Sequence, residues 1–140
     1  MNLRPMTMAD ADFMLQLKNY PETRTFAIAS HDEIKKEDHY KWLENNLQYF
    51  QVIQDVTPLG VIRIQDDEIS IWVDKLYWRK GIASYILNKV AKEGMIARIV
   101  DGNVASMLAF INADFKPFHH EKNYYIMKKV SRKNTEKKDE

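Results

Sequence analysis

A mixed α/β fold, with an antiparallel meander feeding a splayed parallel strand pair and about four helices around the central sheet, is what this sequence predicts. Three observations carry the prediction. Strand-like runs follow one another closely at residues 49–54, 60–65 and 69–73, separated by Thr57-Pro58 and Asp66-Asp67, so each is expected to fold back on the last. The third run passes through residues 74–81 into a helix over 82–91, where Ile82, Ala83, Ile86, Leu87, Val90 and Ala91 recur at the spacing of one buried face. A further apolar run at 95–100 follows that helical crossover, which makes it parallel to residues 69–73.

The remaining elements follow in chain order. Residues 2–5 are a short extended start, and Thr7 with Asp10 has the form of a capping pair ahead of Phe13, Met14 and Leu17, predicting a helix over 8–19. Pro21 blocks its continuation, so residues 20–24 are expected as a turn that presents Glu22 and Arg24. Residues 25–34 are irregular, and Ser30-His31-Asp32-Glu33 is polar enough for a loop over a cleft. Helical spacing resumes over 36–47 through Tyr40, Leu43 and Leu47, with His39 and Trp42 three apart on one face. Gly94 is the expected stop of the helix at 82–91. Asp101-Gly102-Asn103 turns into a helix over 104–112 with Ala105, Leu108 and Ala109 facing inward, and 115–118 and 124–127 are a final strand pair joined by 119–123. The domain spans 1–130. Residues 131–140, SRKNTEKKDE, lack apolar side chains and are expected to be a disordered charged tail.

Composition excludes several classes of function. The 140-residue chain has a formal net charge of +1, so overall electrostatics do not draw it to nucleic acid or an anionic membrane, and any anion site has to be local. It has no cysteine, which rules out disulfides, thiolate metal sites and a cysteine nucleophile and suits a reducing compartment. The start, MNLRPMTMAD, has no apolar signal core, and no run is long enough to span a bilayer. The expectation is a cytoplasmic monomer or homodimer without nucleic-acid, membrane or metal partners.

The chemistry concentrates where residues 69–73 lead into the helix at 82. A first helical turn leaves N–H groups without intrahelical acceptors and carries the positive end of the helix dipole, so anions settle there. Gly81 and Ala83 permit close approach to the backbone, and Arg79 and Lys80 add two positive charges. An ordinary strand-to-helix turn with a solubilising basic pair has the same local pattern. Elsewhere, Arg24 offers a guanidinium fork for a phosphate or carboxylate, or a surface partner for Glu22. Trp42 suits either the core or a pocket wall.

Trp78-Arg79-Lys80-Gly81-Ile82-Ala83 resembles a known pyrophosphate loop: Gln or Arg, two residues, Gly, one residue, then Gly or Ala. With the elements around it, the sequence resembles the GNAT superfamily of acyl-coenzyme A-dependent N-acetyltransferases over nearly the whole domain. Trp78 replaces the usual Gln or Arg, and Arg79 stands where many members have glycine. Asn103-Val104-Ala105-Ser106 through Phe110, Ala113 and Phe115 resembles the second signature of that superfamily, with two departures. Phe110 occupies the position of the tyrosine that protonates the leaving thiolate in many members, and Asp114 replaces a common glycine. A phenyl ring cannot donate a proton. Residues 17–24 together with His39-Tyr40-Lys41-Trp42 are similar to members acting on nucleotide-linked amino sugars, and the ribosomal-protein-type acetyltransferases share part of this pattern.

The resemblance implies acetyl-CoA as co-substrate and a small-molecule primary amine as acceptor, attacked directly in a ternary complex, with an amino sugar as the favoured class. It implies pantetheine along Ile71, Trp72 and Val73, with the Val73 backbone N–H as oxyanion donor. Trp78, Arg79, Lys80, Gly81, Ile82, Ala83 and Ser84 would cradle the pyrophosphate, and Asn103, Ser106 and Phe110 would form a second wall. Arg24, His31 and Trp42 are the expected acceptor-side residues. Glu68 and Tyr124 are the expected base and acid, with His31, Glu33, Asp67 and Tyr125 as alternatives; each is equally suited to packing. Two other functions fit: a non-catalytic acyl-CoA-binding sensor or interaction module, which Phe110 favours, or a protein N-acetyltransferase.

Overall fold

The computed structural model describes residues 1–131, so all but the first residue of the expected tail lies outside the described residues. The chain forms β1 (Asn2–Pro5), α1 (Ala11–Asn19), α2 (Pro21–Thr25), α3 (Lys36–Glu44), β2 (Phe50–Gln54), β3 (Pro58–Gln65), β4 (Glu68–Val73), α4 (Ile82–Val90), β5 (Ile96–Val100), α5 (Val104–Asn112), β6 (Phe115–His120) and β7 (Tyr124–Lys129). Four of the helices have nine residues and α2 is a single turn. The seven strands make one sheet in the order β1-β2-β3-β4-β5-β7-β6. Among the described residues only β4 and β5 pair in parallel, as the helical crossover requires.

Alternation along the strands gives the sheet two faces and hence two cores. Val52 and Val61 pack with Met14, Leu17 and Leu43 under α1 and α3. Their neighbours Ile53 and Ile62 point the other way, and with Ile69, Ala97 and Ile99 they pack against Ile86 and Leu87 of α4 and Phe110 of α5. Within the described residues, no helix is long and apolar enough to cross a membrane.

Several boundaries differ from expectation, each for a local reason. Pro21 opens a helix instead of a turn, because a proline at the first helical position gives up an N–H that has no partner there anyway. Residues 8–10 are a 3-10 turn ahead of α1, and α3 ends at Glu44, with Leu47–Tyr49 a separate 3-10 turn. Pro58 begins β3 beside a register shift at Ile53/Gln54, where a missing N–H is tolerated. α4 stops at Val90 with Ala91 already extended, and Gly94 (φ +92°) belongs to the turn that follows. On α5 the inward residue is Phe110, whereas Leu108 is 53% exposed and Ala105 is also on the outside. The β6–β7 connection is only residues 121–123. The Asp66-Asp67 turn is as expected, with φ +51° and +64° giving the primed geometry that matches strand twist.

One buried carboxylate fixes how the chain enters α1. Asp10 takes a two-pronged ion pair from Arg4 on β1 (Nη2–Oδ1 2.7 Å, Nη1–Oδ2 3.0 Å) and accepts the Thr7 N–H at 3.0 Å. The Arg4 guanidinium holds the Asp10 carboxyl below the usual carboxylate range, against the opposing effect of burial. A group with a depressed folded-state pKa stabilises the fold above its unfolded pKa, and that contribution disappears as pH falls through the folded value. Asp10→Asn should therefore lose about 1.5–3 kcal/mol at pH 7 in urea unfolding, the range for hydrogen bonds to a charged group. The difference from wild type should shrink as pH is lowered below the ordinary aspartate value; a gap unchanged down to pH 2 would exclude this role.

Candidate active site

The parallel pair β4/β5 is joined at a single register position, Glu68 opposite Ile96, with the Ile96 N–H bonded to the Asp67 carbonyl at 2.9 Å. Beyond it the strands separate, leaving the C-terminal half of β4 with an open edge. Which backbone groups face that gap follows from the other side of β4. The Asp74 N–H bonds to the Leu59 carbonyl of β3 at 2.8 Å. Two-residue alternation then turns the Trp72 N–H toward β3 and those of Ile71 and Val73 toward the gap. Trp78 folds back at the end of the strand, and its indole Nε1 donates to the Val73 carbonyl at 2.7 Å.

Gly60 lets β3 lie flat against this region. A Cβ there would sit 2.3 Å from the Trp72 carbonyl oxygen, so any side chain would push β4 away.

The loop after β4 has the geometry of an anion cradle. Arg79 (φ +64°) and Gly81 (φ +76°) are both left-handed, folding successive amides toward one side at the start of α4. The first bond of the helical ladder runs from the Tyr85 N–H to the Gly81 carbonyl, so the N–H groups of Ile82, Ala83 and Ser84 precede it. A Cβ at Gly81 would meet nothing within 4 Å, which leaves open space beside the turn. Arg79, Lys80 and Gly81 are exposed, and Ile82, Ala83 and Ser84 are half-buried. These features suit a diphosphate.

α5 forms the opposite wall. Asn103 caps it, accepting the Ser106 N–H at 3.3 Å, and the Ser84 hydroxyl reaches the Ala109 carbonyl at 3.5 Å, tying α4 to α5. Phe110 lies beneath this wall, only 3% exposed and edge-on to Phe115 at 4.9 Å. Both positions where glycine is the commoner residue in the resembled signatures, Arg79 and Asp114, have positive φ (+64° and +67°), which is the backbone reason for glycine there.

α2 lies across the open end of the gap. On the β4 side, Glu22 pairs with Lys75 at 2.5 Å. The Tyr20 hydroxyl donates to buried Asp74 at 3.0 Å, and the Tyr20 ring meets Trp78 edge-on at 6.4 Å. On the β5 side, Phe26 reaches the Gly102 turn, its Cε1 3.9 Å from where a Cβ would stand. Arg24 lies within this strap, with its Nε buried and lacking a hydrogen-bond partner.

On the α1/α3 face, Trp42 stacks with buried His39 (6.2 Å between centroids) and meets Phe50 edge-on at 5.5 Å. The Lys18 ammonium lies over the Trp42 ring at 4.0 Å and 5.5 Å from the Trp72 ring. Burial, reinforced by Arg63, pushes Lys18 down to about 8. His39 is also lowered, first by burial and then by Lys18.

The expected catalytic pair is not brought together at the open end. Glu68 stands at the joined end of the strands, about 16 Å along β4 from Val73 at normal strand rise, and is bonded to Arg98 Nε at 2.9 Å. Tyr124 pairs with Val100 at the far end of β5, and the Arg98 guanidinium lies 5.9 Å from its ring centroid. Tyr125 takes the opposite face and packs on His120 at 4.4 Å. His31 is exposed, bonded to the Ala27 carbonyl at 3.1 Å. Sequence reasoning missed Lys18, Tyr20, Gly60 and Asp74. Two had a signal: Gly60 interrupts a strand, and Lys18 shares the Met14/Leu17 stripe of α1 at helical spacing.

A hollow of about 550 Å³ lined by Asn88, Glu93, Asp114 and Lys129 lies at the other end of α4 and is separate from the gap. Among the described residues, no cluster of three or more His, Asp or Glu side chains is arranged to hold a metal ion.

Residues 1–116 match the family model of the acetyltransferase (GNAT) domain. No curated protein matches the chain at a significant level. Among solved structures, a ribosomal-protein-alanine N-acetyltransferase from Brucella melitensis superposes with a TM-score of 0.73 at 19% identity, covering 94% of this chain and 100% of that one. Spermidine N-acetyltransferase from Vibrio cholerae, in complex with CoA and spermine, gives 0.74 at 13% identity over 91% of both chains. AAC(6')-Ib, in complex with paromomycin and acetyl-CoA, gives 0.75 at 12% identity over 99% of this chain and 97% of that one. At these identities the likeness is one of fold.

A side chain in the left-handed region costs about 1–2 kcal/mol. Arg79→Gly should remove that strain and raise stability by about 1 kcal/mol in denaturant unfolding, while taking a positive charge from the cradle. An Arg79→Gly protein that is less stable than wild type would mean that the guanidinium makes a contact outweighing the strain.

Proposed function

The chain belongs to the acetyltransferase (GNAT) domain family of acyl-CoA-dependent N-acetyltransferases, with acetyl-CoA as co-substrate, and on that premise we propose that it acetylates a primary amine of a nucleotide-linked amino sugar by direct attack in a ternary complex. The observation that carries the reading is the strand pair joined only at Glu68 and Ile96, which turns the Val73 N–H into the gap beside the α4 cradle. The sugar class rests on the resemblance of residues 17–24 and 39–42.

When bound, acetyl-CoA supplies an activated thioester carbonyl. Arg79 and Lys80, with the backbone of Gly81, Ile82, Ala83 and Ser84, would hold the diphosphate. Trp78, Ile71 and Trp72 would line the arm along β4, with Asn103 and Ser106 opposite and Phe110 supporting that wall from beneath. The Val73 N–H would stabilise charge developing on the carbonyl oxygen, an effect worth ~10²–10³ in rate for one donor of this kind. Arg24, His31 and Trp42 would position the acceptor, and orientation in one cleft supplies much of the acceleration. The amine nitrogen forms the new N–C bond and gives its proton to solvent water, the C–S bond breaks, and the thiolate takes up a proton, so that in all one proton passes from nitrogen to sulfur. Phe110 cannot supply that proton. Tyr124, with Arg98 over its ring, is the candidate acid, and Glu68 holds Arg98 as a positioning residue in place of its expected role as base.

The buried phenyl ring of Phe110 favours one other reading, a non-catalytic acyl-CoA-binding module. Thiol release from acetyl-CoA with a panel of amines separates the two. The proposed enzyme should release thiol only when an amine is present. Lys80→Ala should raise the KM for acetyl-CoA about tenfold with kcat within twofold, because it removes binding without touching the reacting atoms. Saturable acetyl-CoA binding with no turnover on any amine would favour the non-catalytic module.

A further inference from the structure

Lys18 has no place in the mechanism above, yet it is the most perturbed charge in the acceptor half of the molecule. Its ammonium lies between the Trp42 and Trp72 indoles, and Trp72 directly precedes the strand end that faces the gap. Indole faces attract a cation but leave its three N–H donors unpaired. Among the described residues, Lys18 donates no hydrogen bond and has no acidic partner. The neighbouring acids are all engaged: Asp10 by Arg4, Asp12 by Tyr40 and Lys36, Glu22 by Lys75, and Asp74 by Tyr20.

The nearby cation, Arg63 on β3, donates to neutral Gln65 and has no acidic partner among the described residues. A wall with two positive side chains that lack acidic partners, one of them beside two aromatic rings, repels a polyamine and attracts an anion.

Resting on the acetyltransferase reading, we infer that the acceptor amine carries an anionic group, a carboxylate or a phosphate, and that Lys18 binds this group between Trp42 and Trp72. Burial and Arg63 lower the Lys18 pKa, so an anion bound there would favour the charged form and raise it again. The other charges facing it are Arg63 from β3 and His39 from α3, with Asp12 of α1 acting on His39.

Matched pairs of amines test this directly: glucosamine 6-phosphate against glucosamine, serine against ethanolamine, with spermidine as the cationic control. The anionic member of at least one pair should have a kcat/KM at least tenfold higher, and spermidine should be the poorer substrate. Lys18→Met should bring that ratio close to one, leave the KM for acetyl-CoA unchanged and raise Tm at pH 7, since it replaces a desolvated charge by an apolar chain. Lys18→Arg should restore part of the preference. In wild type the preference should fade as pH rises through about 8, where Lys18 loses its charge. Equal or better use of spermidine, or an unchanged ratio in Lys18→Met, would overturn the inference. If neither these amines nor a nucleotide-linked amino sugar is acetylated, the acetyltransferase reading has failed, and the anion site is then judged by titrating sodium phosphate and pyrophosphate into the CoA-saturated protein while following indole fluorescence. A saturable change absent from Lys18→Met supports the site, and no change, or the same change in both proteins, rejects it.

Discussion

The site depends on one constraint: two parallel neighbours, β4 and β5, that share a single ladder position. A parallel pair normally continues its hydrogen bonds along its length. Here the Asp67 carbonyl fixes Ile96, Arg98 ties the same end to Glu68, and everything beyond is free to diverge. The divergence leaves polar backbone groups facing neither strand nor core. Such groups are tolerated where water or a ligand takes them up, and the Val73 carbonyl has already taken the Trp78 indole. The distance between the two halves of the sheet is therefore set elsewhere, by the α4–α5 contact on one face and by α2 across the end.

Around this gap the molecule divides its charges by side. The α4 cradle presents exposed Arg79 and Lys80 where backbone N–H groups also point, so the two effects add at one place. The α1/α3 side holds its positive charge among aromatic rings and buries it in part. The first arrangement suits a ligand with a flexible, solvated diphosphate; the second suits a small group that must shed its water to enter. Asp74 links the sides. It ends β4, receives Tyr20 from the end of α1 and caps the turn that leads to the cradle through the Leu76 N–H.

How much of this could be read from the sequence depended on whether the signal was local. The amphipathic spacing of α4, the meander of β2, β3 and β4, and the Asp66-Asp67 turn were legible because the residues that decide them are near neighbours. The loop at Trp78–Ser84 was legible for the same reason. Helix ends were less so, since Gly94 offered a stop that the chain had already made at Val90. The position of Glu68 was hidden because it depends on where a parallel partner stops pairing, which no stretch of either strand encodes by itself. Lys18 was visible as a lysine in an apolar stripe, but its indole neighbours come from α3 and β4, distant in sequence. Arg79 and Asp114 were noticed as departures from a pattern, and the backbone angles supply the physical content of both.

The strap across the gap has a further consequence. A strand edge left unpaired for a ligand will also accept any other extended chain, including a second copy of the same strand or an unfolding neighbour. Most proteins guard such edges at the rim of a sheet with charge, proline or a bulge. Here the vulnerable edge lies in the middle of the sheet, and its guards are α2, laid over the end, and the Trp78 indole, bonded to the last carbonyl. Neither is held by core packing, α2 having no buried residue and Trp78 being held there by a hydrogen bond, so this light cover is also the barrier to aggregation. Loosening α2 to ease access would weaken the protein's resistance to self-association at the same stroke.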